Sequence, residues 1–171
     1  MRERADRLES GWEEAYDHGL ELANQALALD PTVADAHFAI FTNMGRKAER
    51  TGVGAQFMHV SKLKALLDKT IELDPNHAPA WEAKGEMLMR LPRLLGGSAA
   101  EGEKALRLSA ALDPKWAKPP LRLAEVDLKN GRLAAARGEA QRARELALAS
   151  SEEEYLREAE ELLRKIDESA G

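Results

Sequence analysis

Residues 71–75 read IELDP, and the same ending closes two other stretches, LALDP at 27–31 and AALDP at 110–114. Each follows a run with helical periodicity. Each proline sits where one helix must stop before another begins, because proline has no N–H with which to continue a helix. The three prolines lie 44 and 39 residues apart, a period of the kind that builds helical arrays. Composition agrees: charged residues make up 32% and aromatics 5%, with abundant Ala, Leu, Glu, Lys and Arg, which lose little rotamer freedom in a helix. β-branched residues are scarce, so no large sheet is expected. A chain of 171 residues is long enough to bury a core as a single domain.

Between the endings, small and large residues recur in register. After Pro75 come Trp81, Lys84, Gly85 and Leu88; before Pro114 come Gly102, Leu106 and Ser109. Leu123, Ala124, Gly131, Ala136, Ala140 and Ala143 follow at matching offsets, and Gly19, Ala23 and Ala26 precede Pro31. Small side chains at such positions let neighbouring helix backbones approach closely. Over about residues 12–148 this pattern resembles the tetratricopeptide repeat (TPR), a helix–turn–helix of about 34 residues with the signature W-x2-L-G-x2-Y, A-x3-F, P. The resemblance implies an all-α, TPR-type helix-turn-helix solenoid with an elongated second hairpin and a C-terminal capping helix. It would form one domain over 1–171, with repeats near 1–33, 34–77, 78–116 and 117–150 and the capping helix at 151–168.

Periodicity places helices near 2–9, 11–29, 33–50, 55–73, 78–91, 99–112, 118–130, 133–148 and 151–168. Ser10–Glu13 and Ser98–Glu101 both have capping-box spacing. In the last helix Tyr155, Ala159, Leu162, Leu163 and Ile166 form one stripe, with Glu160→Arg164 and Glu161→Lys165 pairs expected outside it.

Against a 34-residue repeat the two spacings carry ten and five extra residues. The ten lengthen the helices within 34–74. The five fall at Leu91–Ser98, LPRLLGGS, where Pro92 ends a helix, Gly96 and Gly97 permit a left-handed turn and Ser98 starts the next helix. Two readings stand for this turn. It carries binding, as loops enlarged beyond their scaffold's need do, or Leu91, Leu94 and Leu95 fold back to fill space beside the preceding long hairpin. The long hairpin with an LPxLLGG turn is similar to the regulator-of-microtubule-dynamics proteins and their bacterial relatives, and more loosely to TPR proteins associated with TRAP-type transporters. That resemblance implies an interaction domain with Leu91, Pro92, Leu94, Leu95, Gly96 and Gly97 in its turn.

The TPR resemblance also implies a concave groove lined by the first helix of each repeat. Its expected partner-binding positions are Phe38, Thr42, Glu82, Glu86, Met89, Leu121, Glu125 and Leu128. They lack the Lys and Asn with which chaperone-binding TPR domains clamp a terminal carboxylate. Acidic Glu82, Glu86 and Glu125 among apolar neighbours suit a basic-apolar peptide or an amphipathic helix.

Other classes of function find little footing. The net charge of −5 disfavours nucleic acid. No cysteine is present, and His18, His37, His59 and His77 lack the i, i+4 spacing of a helical metal site. No phosphate-binding or nucleophile-elbow motif occurs. The expectation is a non-enzymatic protein-binding adaptor without catalytic residues, metal or cofactor, and without membrane insertion. Two alternatives are kept: a transporter-accessory or apolar-ligand carrier with a closed cavity near Phe57, Met58, Met87, Met89, Leu94 and Leu95, and a structural subunit of a homo-oligomer or larger assembly. Localisation is cytoplasmic as written, or periplasmic if a signal peptide has been removed.

Overall fold

The recurring LDP endings fold into one local structure, made three times. Asp30, Asp74 and Asp113 each cap a helix, their N–H groups donating to Ala26, Thr70 and Ser109 carbonyls. Each Asp Oδ1 then accepts from the N–H two residues on, at Thr32 (2.8 Å), Asn76 (2.9 Å) and Lys115 (3.1 Å). An Asx turn of this kind bends the chain using its own atoms, and the intervening proline has no N–H to leave unsatisfied.

The computed structural model describes residues 10–170, with the side chains of 53–58 and of 170 outside the description. The helix expected at 2–9 lies outside the described residues. The others form α1 Trp12–Leu29, α2 Ala34–Thr51, α3 Val53–Leu73, α4 Ala78–Arg90, α5 Ala99–Leu112, α6 Lys118–Lys129, α7 Leu133–Ser150 and α8 Glu153–Ala170. No strand occurs among the described residues. The chain divides into two compact units, Met1–Ala80 and Trp81–Gly171.

In the first unit α1 packs on α2 and α2 on α3. Tyr16, Ala23, Ala36, Ile40, Ala48, Leu63, Leu67, Ala78 and Ala80 are its buried apolar side chains among the described residues. At Gly19 α1 leaves no room for a side chain against α2: a Cβ there would stand 2.5 Å from Asn43 Oδ1. The elongated hairpin is present, with helices of 18 and 21 residues joined at Gly52. The Ser10 capping box does not form. Gly11 takes the left-handed conformation (φ 74°) and becomes the residue before the helix, with no side-chain cap. A left-handed entry one residue later moves Ser10 out of register.

The second unit is built on glycine and alanine contacts. A Cβ on Gly85 of α4 would meet Leu106 Cγ at 2.8 Å and the Gly102 carbonyl oxygen at 2.9 Å, both on α5. Ala136, Ala140 and Ala143 on α7 are fully buried in one cluster with Leu121 and Ala124 of α6 and Ala159, Leu162 and Ile166 of α8. Short side chains along α7 let it lie close to both neighbours. The stripe expected on α8 is thus its core face. Glu161 pairs with Lys165 as expected (2.6 Å), but Glu160 reaches across to Arg144 on α7 (3.5 Å) in place of Arg164. Pro119 and Pro120 occupy the first turn of α6, where amide hydrogens have no helical partner in any case.

Candidate interaction site

At LPRLLGGS the chain leaves α4 and spends its backbone bonds on itself. Leu91 N–H still donates to Met87 (3.0 Å); Pro92 has none to give. Arg93–Leu95 then makes one 3₁₀ turn. Leu95 and Gly97 both donate to the Pro92 carbonyl (2.9 and 3.0 Å), Gly96 to Arg93 (3.0 Å) and Ser98 to Leu88 (2.8 Å). Gly96 has φ 86°, and a Cβ on Gly97 would collide with the Leu91 carbonyl. Two glycines are therefore required, for different reasons. Ser98 then caps α5, its Oγ accepting from Glu101 N–H at 3.3 Å.

This frame turns the leucines outward. Leu94 is 98% exposed and Leu95 44%; Pro92 and Arg93 are exposed, and Leu91 is half-buried. For Leu94 the fold-back reading is corrected, because a side chain with almost all its surface in water fills no space. The closed-cavity expectation fails at Leu94 for the same reason. Met89 packs against Leu106, Ala110 and Leu123, while the Phe57 and Met58 side chains lie outside the described residues.

The positions expected to line a groove have mixed fates. In the first unit Phe38 is half-buried, its ring 5.8 Å from Phe41 and 4.7 Å from His77, and Thr42 donates to the Ala39 carbonyl (3.1 Å). In the second unit Leu121 is a correction: it is fully buried in the α6–α7–α8 cluster and offers nothing to a partner. Leu128 packs against that cluster. Glu82 is a second correction, since it is only 3% exposed.

Nor are the carboxylates free to draw in a basic segment. Lys118 Nζ lies 2.8 Å from Glu82 Oε1 and 3.8 Å from Glu86 Oε2. Arg122 joins three helices: its Nε donates to Glu86 on α4, and one terminal nitrogen to both Glu125 on α6 and Glu158 on α8, each at 2.9 Å. Burial pushes the Glu82 carboxyl up to about 7, with Lys118 opposing and Glu86 adding to the rise. Burial would raise Glu86 too, but Lys118, Arg122 and Arg90 together hold it below the ordinary range. Burial also lifts Glu125, against the pull of Arg122. Tyr155 is raised to about 12 by burial, then by Glu82.

The hub residue Arg122 escaped sequence reasoning, although Glu86, Arg122 and Glu158 stand at 36-residue intervals with alternating sign. So did the work of His77. It is buried, its Nδ1 accepts from Ala80 N–H at the start of α4 (3.0 Å), and its Nε2 lies 3.0 Å from Asp35 Oδ1. These contacts fix a tautomer that accepts at Nδ1 and donates at Nε2. No group of three or more potential metal ligands occurs among the described residues, and none of their helices is long and apolar enough to cross a membrane.

No protein-family model matches the chain, and no curated protein sequence does. Solved structures do. TTC0263, a thermophilic TPR protein of Thermus thermophilus, superposes with a TM-score of 0.64 at 19% identity, over 85% of this chain and 73% of that one. The chain has the TPR fold. MamA is similar over 90% of this chain and 87% of its own, with a TM-score of 0.55 and 16% identity. MamA from Desulfovibrio magneticus RS-1, residue 41 to its end, covers 98% and 91% with a TM-score of 0.54 and 17% identity. At such identities the likeness is one of fold, and it agrees with the glycine and alanine contacts between these helices.

Proposed function

We propose that this chain is a non-enzymatic protein-binding module whose docking point is the 91–97 turn. The observation that carries the reading is Leu94, almost wholly exposed on a turn held by its own hydrogen bonds. Fully burying such a side chain is worth about 1.5–3 kcal/mol, and a preformed turn gives up little conformational freedom on binding. The N–H groups of Leu91, Leu95, Gly96 and Gly97 are already committed, so strand-like pairing with the turn is disfavoured. Recognition falls to the side chains, and a convex leucine knob fits an apolar socket on a partner protein. No acidic residue occurs from 87 to 100 while Arg90 and Arg93 do, which suits a socket rimmed with carboxylates. The similarity of LPRLLGG to the regulator-of-microtubule-dynamics and TRAP-associated TPR proteins supports an interaction role of this kind. Groove docking is the weaker reading, because Glu82, Glu86 and Glu125 are engaged by Lys118 and Arg122.

The test is affinity capture from an extract of the source organism, followed by titration of the purified partner. Wild type, Leu94→Asp/Leu95→Asp and Phe38→Asp would be compared, each with its helicity and unfolding midpoint measured. The turn variant should keep the wild-type midpoint and lose the partner, with affinity down at least about tenfold, which is 1.4 kcal/mol. A partner lost only with Phe38→Asp would move the site to the groove. The absence of any specific partner would overturn the binding reading.

A further inference from the structure

Glu82 and Glu86 stand one helical turn apart on α4, so both carboxyl groups face the same side. Glu82 is almost without solvent, and a single ammonium, Lys118 Nζ, lies 2.8 Å from an oxygen of Glu82 and 3.8 Å from an oxygen of Glu86. Two carboxylates crowded on one cation where water is scarce repel one another, and sharing a proton relieves that repulsion. The charges around them lead to the same conclusion. Facing the pair are Arg90 on α4, Lys118, Arg122 and Glu125 on α6, and Tyr155 and Glu158 on α8. Lys118 is shared by both members of the pair, and Arg122 is divided among Glu86, Glu125 and Glu158. Arg90 lies 3.9 Å from Glu86 and is itself largely exposed. Among the described residues, four carboxylates thus share three cations, and the most buried of the four is Glu82.

We propose that Glu82 and Glu86 hold one proton between them in the folded protein, and that its loss toward alkaline pH weakens the attachment of α4 to α6. The proton resides on Glu82, whose O–H donates to the Glu86 carboxylate, while Glu86 keeps its charge for Lys118 and Arg122. Without the proton, two negative charges face each other in a site that water barely reaches, and one lysine serves both. The device is independent of the docking reading, although α4 is the helix that runs into the 91–97 turn.

The sign follows from the raised value. A carboxyl that binds its proton more tightly folded than unfolded stabilises the fold fully below the ordinary value of 4.5, and that contribution is lost as pH rises through about 7. Within this window the unfolding constant rises by up to about tenfold per pH unit from this one proton. Glu86, held low, has its own dependence below 4.5 and does not cancel it.

The experiment uses the full chain, wild type and Glu82→Gln, whose amide can still donate to Glu86 but cannot titrate. Urea unfolding from pH 5 to 8 should show stability falling for the wild type relative to the variant. At pH 8 the variant should be the more stable of the two. In parallel, ¹³C side-chain spectra of the Glu-labelled protein should show one carboxyl carbon titrating with a midpoint above pH 6, absent from Glu82→Gln. Parallel pH profiles for both proteins would overturn the proposal. So would a wild-type spectrum in which every glutamate titrates below pH 6, and this readout stands even if the variant folds poorly.

Discussion

One substitution, made at two glycines, should change stability in opposite directions. Gly85 and Gly138 both lie within helices, α4 and α7. Replacing either by Ala brings the same intrinsic gain, about 0.8–1.0 kcal/mol from helix propensity. Their surroundings differ. A Cβ at Gly138 meets nothing within 4 Å. At Gly85 it would stand 2.8 Å from Leu106 Cγ and 2.9 Å from the Gly102 carbonyl oxygen. Leu106 is fully buried and has nowhere to swing, and the carbonyl belongs to the backbone of α5. Forcing a methyl into such a site costs about 1–3 kcal/mol, with a carbonyl clash at the upper end. Gly85→Ala should therefore lose about 1–2 kcal/mol net, and Gly138→Ala should gain roughly 0.5–1 kcal/mol. For a chain of this length each kcal/mol moves the melting midpoint by about 2–4 °C. Urea unfolding followed by helical circular dichroism, with melting as a check, measures both. If Gly85→Ala matched or exceeded wild type, the close crossing of α4 and α5 would be wrong. If Gly138→Ala lost stability, the open space beside α7 would be.

Two further substitutions probe the polar contacts. Arg122→Met keeps the bulk but strips the cation from Glu86, Glu125 and Glu158; an expected loss of about 1–3 kcal/mol at pH 7 should shrink toward pH 4, where Glu125, raised by burial, is neutral. An equal loss at both pH values would deny the charge account. His77→Ala removes the side-chain acceptor that Ala80 N–H shares with the His77 carbonyl and should cost about 0.5–1.5 kcal/mol, while His77→Asn, which can still accept, should recover part of it. If both variants lost the same amount, the cap would not be what His77 supplies.

The parts of the fold that were legible in the sequence are those fixed by local chemistry or by a demand for smallness. LDP announces its turn because an Asp side chain and a proline without an N–H act within five residues. Gly85 and Gly102 are legible because where two backbones touch there is room for nothing larger. The apolar stripe of α8 is visible because one helix face must meet α7. Ser10 misled because Gly11, one residue on, offers a conformation that overrides a capping serine. Leu94 could not be oriented from sequence: turn residues tell that the chain bends, and tertiary packing decides which side chains it throws outward. Leu121 and Glu82 were placed in a groove by resemblance, whereas the packing of α6 against α7 and α8 draws Leu121 inward, and Glu82 is buried on α4. The sign alternation at Glu86, Arg122 and Glu158 was present in the sequence but hidden, since the LDP endings are spaced by 44 and 39 residues and suggest no common period of 36.

That alternation limits how the array could have changed length. The LDP turn is self-sufficient and would tolerate gain or loss of a helical pair. Removing the pair that contains α6, however, would set Glu86 against Glu158, negative against negative, and expose both to the same shortage of cations. A module with Arg at the middle of three successive levels has a parity: helical pairs can be lost or duplicated two at a time, or one at a time only with a compensating change of sign.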